Sequence, residues 1–228
     1  MSDFSFIQKD IKGRSFCFLS SKAVYWSQLK TLIVADTHFG KVNHFRKFGI
    51  NAPIEAIRND LSTIKSMILQ FDVHQIIIIG DMFHSMYNAE MDYWLRWRNM
   101  FSGLEFVLVK GNHDILSQAI YNQLHITIKP HMLVIQDFCF VHDITALSQV
   151  EPHMYYFSGH VHPALTIYGK AKQNLTLPCY FFDRNICILP AFGSFTGTKI
   201  ISPEPGNQFI IIGESNIWEL NPKIQSEI

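Results

Sequence analysis

Five short polar clusters constrain this chain, because each follows directly on a run of β-forming apolar residues. They are ADTH ending at His38, GDMFH from Gly80 to His84, GNHD from Gly111 to Asp114, VHD from Val141 to Asp143, and GHVHP from Gly159 to Pro163. A short apolar run that stops at Gly, Asp or Asn reads as a buried strand turning into a loop. Polar side chains at the ends of neighbouring strands converge on one edge of a sheet. The chain is thereby held to folds in which five strands end around one site. Carboxylates, imidazoles and an amide gathered there suit a pair of divalent metal ions.

The runs between the clusters fill in the architecture. Ser15–Ser20 and Ala23–Trp26 read as a strand pair turning at Ser20-Ser21-Lys22, and Leu32–Ala35, Gln75–Ile79 and Leu104–Val109 as buried strands. Behind Pro53, the residues Ile54, Ile57, Leu61, Ile64 and Ile68 recur at helical steps to about Gln70. Asn88 caps a second helix with Met91, Trp94, Leu95 and Phe101 on its packing side, and a short third helix covers Ile115–Tyr121. The spacing of Trp94 and Trp97 fits a core face better than a base-stacking platform. Strand, loop and helix recurring in this way predict parallel strands with crossovers.

From Ile126 onward there is no room for helices. Ile126–Ile128, Met132–Ile135, Phe138–Val141, Tyr155–Phe157, Leu165–Tyr168, Cys179–Phe182, Ile186–Leu189, Lys199–Ile201, Phe209–Ile212 and Ile217–Leu220 read as short strands of a mostly antiparallel second sheet. The expected fold is α/β: two sheets face to face, helices outside, and the clusters on one edge.

Composition narrows the function. No Pro/Gly/Ser-rich linker, charge block or repeat divides the 228 residues, so a single domain is expected. With 48% apolar residues, 14% aromatics and 19 Phe, the chain can bury a large core. Lys+Arg and Asp+Glu balance at 19 each, which gives no electrostatic support for a broad nucleic-acid or membrane surface. The apolar runs are strand length, too short to span a bilayer, and MSDFSFIQKD lacks the pattern of a secretory signal. Cys17, Cys139, Cys179 and Cys187 form no CxxC pair and sit among apolar neighbours, which points to a reducing, cytoplasmic compartment.

Taken singly, the cluster residues have plain readings. Asp81 alone is a turn or capping aspartate, and a lone His after an apolar strand is a satisfied core histidine. Their coincidence argues otherwise. Asp36 and His38, two apart on an extended segment, are expected to project to one side as ligands of a first metal. Asn112 offers a neutral oxygen, and Asp114 is placed to hold the His113 ring by a hydrogen bond. His142 leaves a strand in the same way, and His160 with His162 repeats the two-residue spacing of the first cluster.

These motifs resemble the calcineurin-like metallophosphoesterase superfamily, whose pattern runs D-x-H, G-D, G-N-H-[DE], H and G-H-x-H. The chain carries it complete from Asp36 to His162. The resemblance implies a four-layer α/β/β/α sandwich of two mixed β-sheets flanked by helices. It also implies one metal on Asp36, His38, Asp81 and His162, and a second on Asp81, Asn112, His142 and His160, bridged by Asp81. His113 would be the non-ligand histidine that protonates the leaving oxygen or binds a phosphate oxygen. The chemistry expected is attack by metal-bridged hydroxide on a phosphodiester. The donor set favours Mn²⁺, Fe²⁺ or Zn²⁺ over Mg²⁺, and the superfamily puts Mn²⁺ first.

Flanking segments carry a narrower resemblance. HFGK running into HFRKFGINAP, GDMFHS, GHVHPA and LPAFGSFTG look like the ligase-associated DNA damage response endonucleases of the PdeM type. That implies a Mn²⁺-dependent nuclease or phosphodiesterase acting on DNA during repair, associated with a DNA ligase and a helicase. Lys41 and Arg46, with His44 and Lys47, form a basic loop suited to phosphate contacts, whose plain alternative is a solvated loop. His84 and Ser85 either reach substrate or brace Asp81. The FGSFTG turn at Phe192–Gly197 either closes over the site or is a hairpin connection. Two other readings compete: a phosphodiesterase or phosphatase for a small nucleotide or lipid-linked phosphate, and a non-catalytic scaffold, which such folds reach by shedding ligands that are all present here.

Overall fold

Continuous apolar runs make the central strands, because a strand covered on both faces needs side chains for both. The computed structural model describes residues 4–39, 55–83, 89–169, 173–214 and 216–221. Lys41, His44, Arg46, Lys47, Pro53, His84, Ser85 and Asn88 lie outside the described residues. The first sheet has seven strands in chain order: β1 (Phe6–Ile11), β2 (Arg14–Leu19), β3 (Val24–Trp26), β4 (Thr31–Ala35), β5 (Gln75–Ile79), β6 (Glu105–Val109) and β7 (Thr127–Lys129). From β1 to β4 the pairing is antiparallel, and from β4 to β7 parallel. The helices α1 (Glu55–Phe71), α2 (Ala89–Arg98) and α3 (Gln118–Gln123) lie in the connections between the parallel strands.

Pleating sorts each buried strand into two faces. Leu32, Val34, Ile76, Ile78, Phe106 and Leu108 pack with helix residues such as Leu61, Ile64, Trp94 and Tyr121. Ile33, Ala35, Ile77, Ile79, Val107 and Val109 face the second sheet. Trp94 is fully buried and its indole N–H donates to the Leu124 carbonyl at 3.2 Å, so this helix face is core, as its spacing indicates.

The second sheet has nine strands: β8 (Met132–Ile135), β9 (Phe138–Val141), β10 (Tyr155–Ser158), β11 (Pro163–Tyr168), β12 (Asn174–Asp183), β13 (Ile186–Ile188), β14 (Lys199–Ile200), β15 (Gln208–Ile212) and β16 (Ile217–Leu220). It is mixed: β9, β10 and β13 run parallel to one another, β11 runs parallel to β14 at one edge, and the remaining pairs are antiparallel. On its outer face Cys139, Val141 and Tyr156 are covered by Ile144, Leu147, Val150 and Met154, in a segment that carries the short 3-10 turn Ile144–Ala146. Two mixed sheets with their flanking layers make this an α/β sandwich.

Three details differ from the sequence reading. Thr127–Lys129 belongs to the first sheet, beside β6, because α3 supplies the crossover that a parallel partner needs. The third helix begins at Gln118, where the Ser117 hydroxyl accepts from the Ile120 N–H as an N-cap. Strand β1 has no counterpart in the sequence reading: FIQKDI lacks an apolar run and gains its place by pairing with β2.

The sheets meet in an aromatic layer. Phe140 and Phe157 stack at 5.5 Å with 10° between planes, and Phe16 lies 5.1 Å from both Phe157 and Phe138. The Tyr180 hydroxyl lies 2.8 Å from both the Leu19 and Ala23 carbonyls, tying the second sheet to the β2–β3 turn. All four cysteines are buried, and burial pushes the Cys139 thiol up to about 11 and that of Cys179 up to about 12. Phe157 is fully buried between the sheets. Phe157→Ala is expected to cost about 3–5 kcal/mol of stability, read as a lower urea midpoint with an unchanged slope.

Candidate metal centre

The five motifs start where β4, β5, β6, β9 and β10 end, and the parallel pairing of those strands brings their C-terminal ends to one edge of the sandwich. Beyond the last strand residue, the β4–β5 ladder continues irregularly. Asp36 N–H donates to the Gly80 carbonyl at 3.2 Å, His38 N–H to that of Asp81 at 2.9 Å, and Phe39 N–H to that of Met82 at 2.8 Å. The Thr37 hydroxyl adds a buried bond to the Met82 carbonyl.

Asp36 and His38 come together by a route the pleat argument did not foresee. Neither is extended: their φ angles are 52° and 45°. Asp81 at 49°, His160 at 67° and His162 at 53° share this left-handed conformation. Non-glycine residues hold it at a cost of about 1–3 kcal/mol each, and such strain gathers at functional sites. Here it turns successive side chains toward one centre. Gly80, at φ 70°, needs glycine for a second reason: a Cβ there would sit 2.0 Å from the His142 ring.

Asp81 divides its oxygens between two sides. Its Oδ2 is 3.8 Å from His38 Nε2, whereas its Oδ1 is 3.5 Å from His142 Nε2 and accepts from the His113 N–H at 2.9 Å. Asp36 Oδ1 is 3.3 Å from His162 Nε2 and 3.7 Å from His142 Nδ1, while its Oδ2 accepts from the His160 N–H at 2.9 Å. Around His142 Nε2 stand Asn112 Oδ1 at 3.1 Å and His160 Nδ1 at 3.2 Å. Backbone carbonyls fix two rings. His142 Nδ1 lies 3.3 Å from the Ile79 oxygen and His162 Nδ1 lies 3.0 Å from that of Gly197. A carbonyl only accepts, so His162 Nδ1 carries the proton toward Gly197 and its Nε2 is left with a lone pair facing the centre, whereas His142 lies between two acceptors, the Ile79 carbonyl at Nδ1 and Asn112 Oδ1 at Nε2.

These residues suit divalent cations. Asp36, Asp81, His38 and His142 are buried, and Asp36 Oδ1 accepts no hydrogen bond among the described residues. Within ion-pairing distance of the two carboxylates stand histidines, and among the described residues neither a lysine nor an arginine. Ligand atoms of Asp36, His38 and His162, and again of Asp36, Asp81 and His142, lie within 4.8 Å of one another. Two buried carboxylates with inward-facing imidazole nitrogens need a cation to offset their desolvation.

His113 stands at the mouth, its side chain 45% exposed and its Nε2 3.9 Å from Asp81 Oδ2. Asp114 has a different task from the one its neighbourhood suggested. Its carboxylate is turned to the backbone, accepting from the N–H groups of Gly111 at 2.8 Å, Met82 at 3.0 Å and Phe83 at 3.4 Å, and so ties the third motif to the second. Burial pushes its pKa up to about 6, with the nearby Asp81 charge adding to the effect and the three N–H bonds opposing it. Burial likewise raises the Tyr121 hydroxyl, which lies against Asp114.

A cleft of about 340 Å³ runs off the centre on the side of Asn112, His142 and His160. Its walls include Lys110, Pro130, His131, Val141 and Leu147. Lys110 and His131 have no counterpart in the sequence reading. The signal for Lys110 was its place directly before GNHD, at the end of β6. A wider hollow of about 650 Å³, bordered by Lys9, Lys12, Tyr155 and Arg184, lies where β10 begins and holds none of the motif residues.

Carboxylates, an amide and imidazoles gathered at the shared edge of two packed sheets define a metal-dependent phosphoesterase. The calcineurin-like phosphoesterase family model matches residues 29–160, more than half of the chain, and the protein belongs to that family. Among solved structures it is similar to the Pseudomonas putida nuclease MPE, with 27% sequence identity over 95% of this chain and 100% of that one, at a TM-score of 0.77. Yfce, a phosphoesterase from E. coli, aligns over 83% of this chain and 97% of its own, with 11% identity and a TM-score of 0.43. Comparison with curated protein sequences gives no match.

A binding ligand stabilises the folded state by mass action, about 2.7 kcal/mol at a hundredfold excess over Kd. Mn²⁺ is therefore expected to raise the melting temperature by several degrees. Asp81→Asn, which removes one of the two buried carboxylate charges, should abolish most of that rise in the same calorimetric scan.

Proposed function

We propose that the protein is a dinuclear metal-dependent phosphodiesterase that cleaves DNA. The observation that carries the substrate class is the cleft of about 340 Å³ alongside the centre, with Lys110 on its wall, which gives room for a chain continuing past the reacting phosphate. The likeness to a nuclease across 95% of the chain agrees.

In this reading Asp36, His38, Asp81 and His162 would hold one ion, and Asp81, Asn112, His142 and His160 would hold the other. Divalent ions bound there supply an acidified water and neutralise charge on the phosphoryl oxygens, and Mn²⁺ is the ion expected. Every other part belongs to side chains. As a water oxygen that has lost a proton to solvent forms its bond to phosphorus and the opposite P–O bond breaks, His113, half exposed beside Asp81, would give its proton to the departing oxygen. Lys110 meets a neighbouring phosphate, while Pro130, Val141 and Leu147 offer an apolar wall to a sugar or base. Asp114 holds the loop that presents Asn112 and His113.

The two sheets share one core, so we read the chain as one domain. Among the described residues no helix is long and apolar enough to cross a membrane. Placement in the cytoplasm is supported by the four unpaired, buried thiols. A part in DNA repair with a ligase and a helicase rests on the flanking motifs.

Purified protein with Mn²⁺ is expected to hydrolyse bis-p-nitrophenyl phosphate and DNA, and Asp81→Ala to lose both activities. His113→Ala should slow DNA cleavage by about 10²–10⁴-fold. Its effect on the nitrophenyl diester should be much smaller, because nitrophenolate leaves without a proton. Turnover of the diester beside intact DNA would replace this reading with a small-molecule phosphodiesterase. Lys110→Ala is expected to raise KM for DNA several-fold and leave KM for the nitrophenyl diester unchanged, as steady-state kinetics on the two substrates would show.

A further inference from the structure

Helix α1 carries a carboxylate, Asp60, that is 9% exposed and has no place in the chemistry above. It faces the turn at Gly193–Thr196. The Ser194 N–H donates to Asp60 Oδ2 at 3.3 Å and the Ser194 hydroxyl donates to Oδ1. The Thr196 hydroxyl closes the same turn on the Gly193 carbonyl at 2.9 Å.

This segment is tied at both ends to the metal centre's own backbone. At its start, Phe192 N–H donates to the Ala35 carbonyl at 2.8 Å and Gly193 N–H to that of Asp36 at 3.2 Å. The approach is so close that a Cβ on Gly193 would lie 2.3 Å from the Thr37 oxygen. At its end, Lys199 N–H donates to the His162 carbonyl at 2.9 Å, where β14 joins β11. Between these anchors stands Gly197, whose carbonyl takes the proton of His162 Nδ1 at 3.0 Å. Among the described residues, Asp60 holds the middle of the span from outside it.

We propose that Asp60, acting through Ser194, is a positioning residue for His162, and so sets the affinity of the Asp36–His38–His162 group for a divalent ion. Outer-shell partners that fix a ligating imidazole typically change metal affinity by about 10–100-fold. Asp60 reaches His162 through the turn: with the turn held, the Gly197 oxygen stays in line with Nδ1, and Nε2 stays turned toward Asp36. Asn112, His142 and His160 themselves receive no contact from this segment among the described interactions, so the effect of Asp60 is expected on the group that contains His162. The inference rests on the two-ion reading given above.

The test is calorimetric titration of metal-free protein with Mn²⁺, beside melting of the same metal-free samples. Asp60→Ala should weaken one of the two binding steps by about tenfold or more and leave the other unchanged. Ser194→Ala, the milder change if Asp60→Ala folds poorly, should weaken the same step in the same direction. Asp60→Asn keeps an acceptor for the Ser194 hydroxyl and should restore most of that affinity. Two unchanged steps in both alanine variants would overturn the role of Asp60 while leaving the two-ion centre standing. Both steps weakening together with a lower metal-free melting temperature would also overturn it, by showing a general structural role. Wild-type protein that takes up no Mn²⁺ would overturn both readings.

Discussion

Two carboxylates, those of Asp36 and Asp81, are buried side by side at the ends of adjacent parallel strands, and the rest of the site is arranged around that fact. Isolated buried charges are costly, and removal of a partner from such a site costs far more than the pairing gains. Imidazoles cannot neutralise the pair without taking up protons. A cation can, and the His162 ring, held by a backbone carbonyl, presents a lone pair on the side where a cation would sit. The Gly197 carbonyl thus does for His162 what a charged partner does elsewhere.

The same constraint explains the backbone. Five non-glycine residues of the described motifs occupy the left-handed region, which a chain free to relax would leave. Relaxation is blocked because the strands before each motif are locked into two packed faces, and because Asp114 fastens the third motif to the second. The aromatic layer between the sheets therefore does more than hold the fold. It fixes the relative height of strand ends that come from different sheets, to within the reach of a short side chain.

Much of this was legible in the sequence. The apolar runs located the buried strands, and the motif residues after them are the ones found together at one edge. The limits were physical too. Period-two alternation predicts one side for Asp36 and His38, but the strand stops at Ala35, and the left-handed backbone beyond it performs the convergence in place of the pleat. The edge strand β1 carries no continuous apolar run and exists through its partner. The adjacency of His113 and Asp114 suggested a pair, whereas Asp114 is drawn to three backbone N–H groups that no sequence pattern reveals. Asp60 and Ser194 are separated by 134 positions, and nothing in either neighbourhood announces the other.

The order in which the ligands occur along the chain has a consequence for biogenesis. Asp36 and His38 are made first and His162 late, and the second sheet must be packed against the first before His142 and His160 face the carboxylates. On the two-ion reading, a nascent polypeptide that had extruded its first three motifs would hold an unfinished chelate with no rigid pocket. Metal capture would then follow closure of the sandwich, and the ion would be chosen by a finished cavity and not by loose ligands.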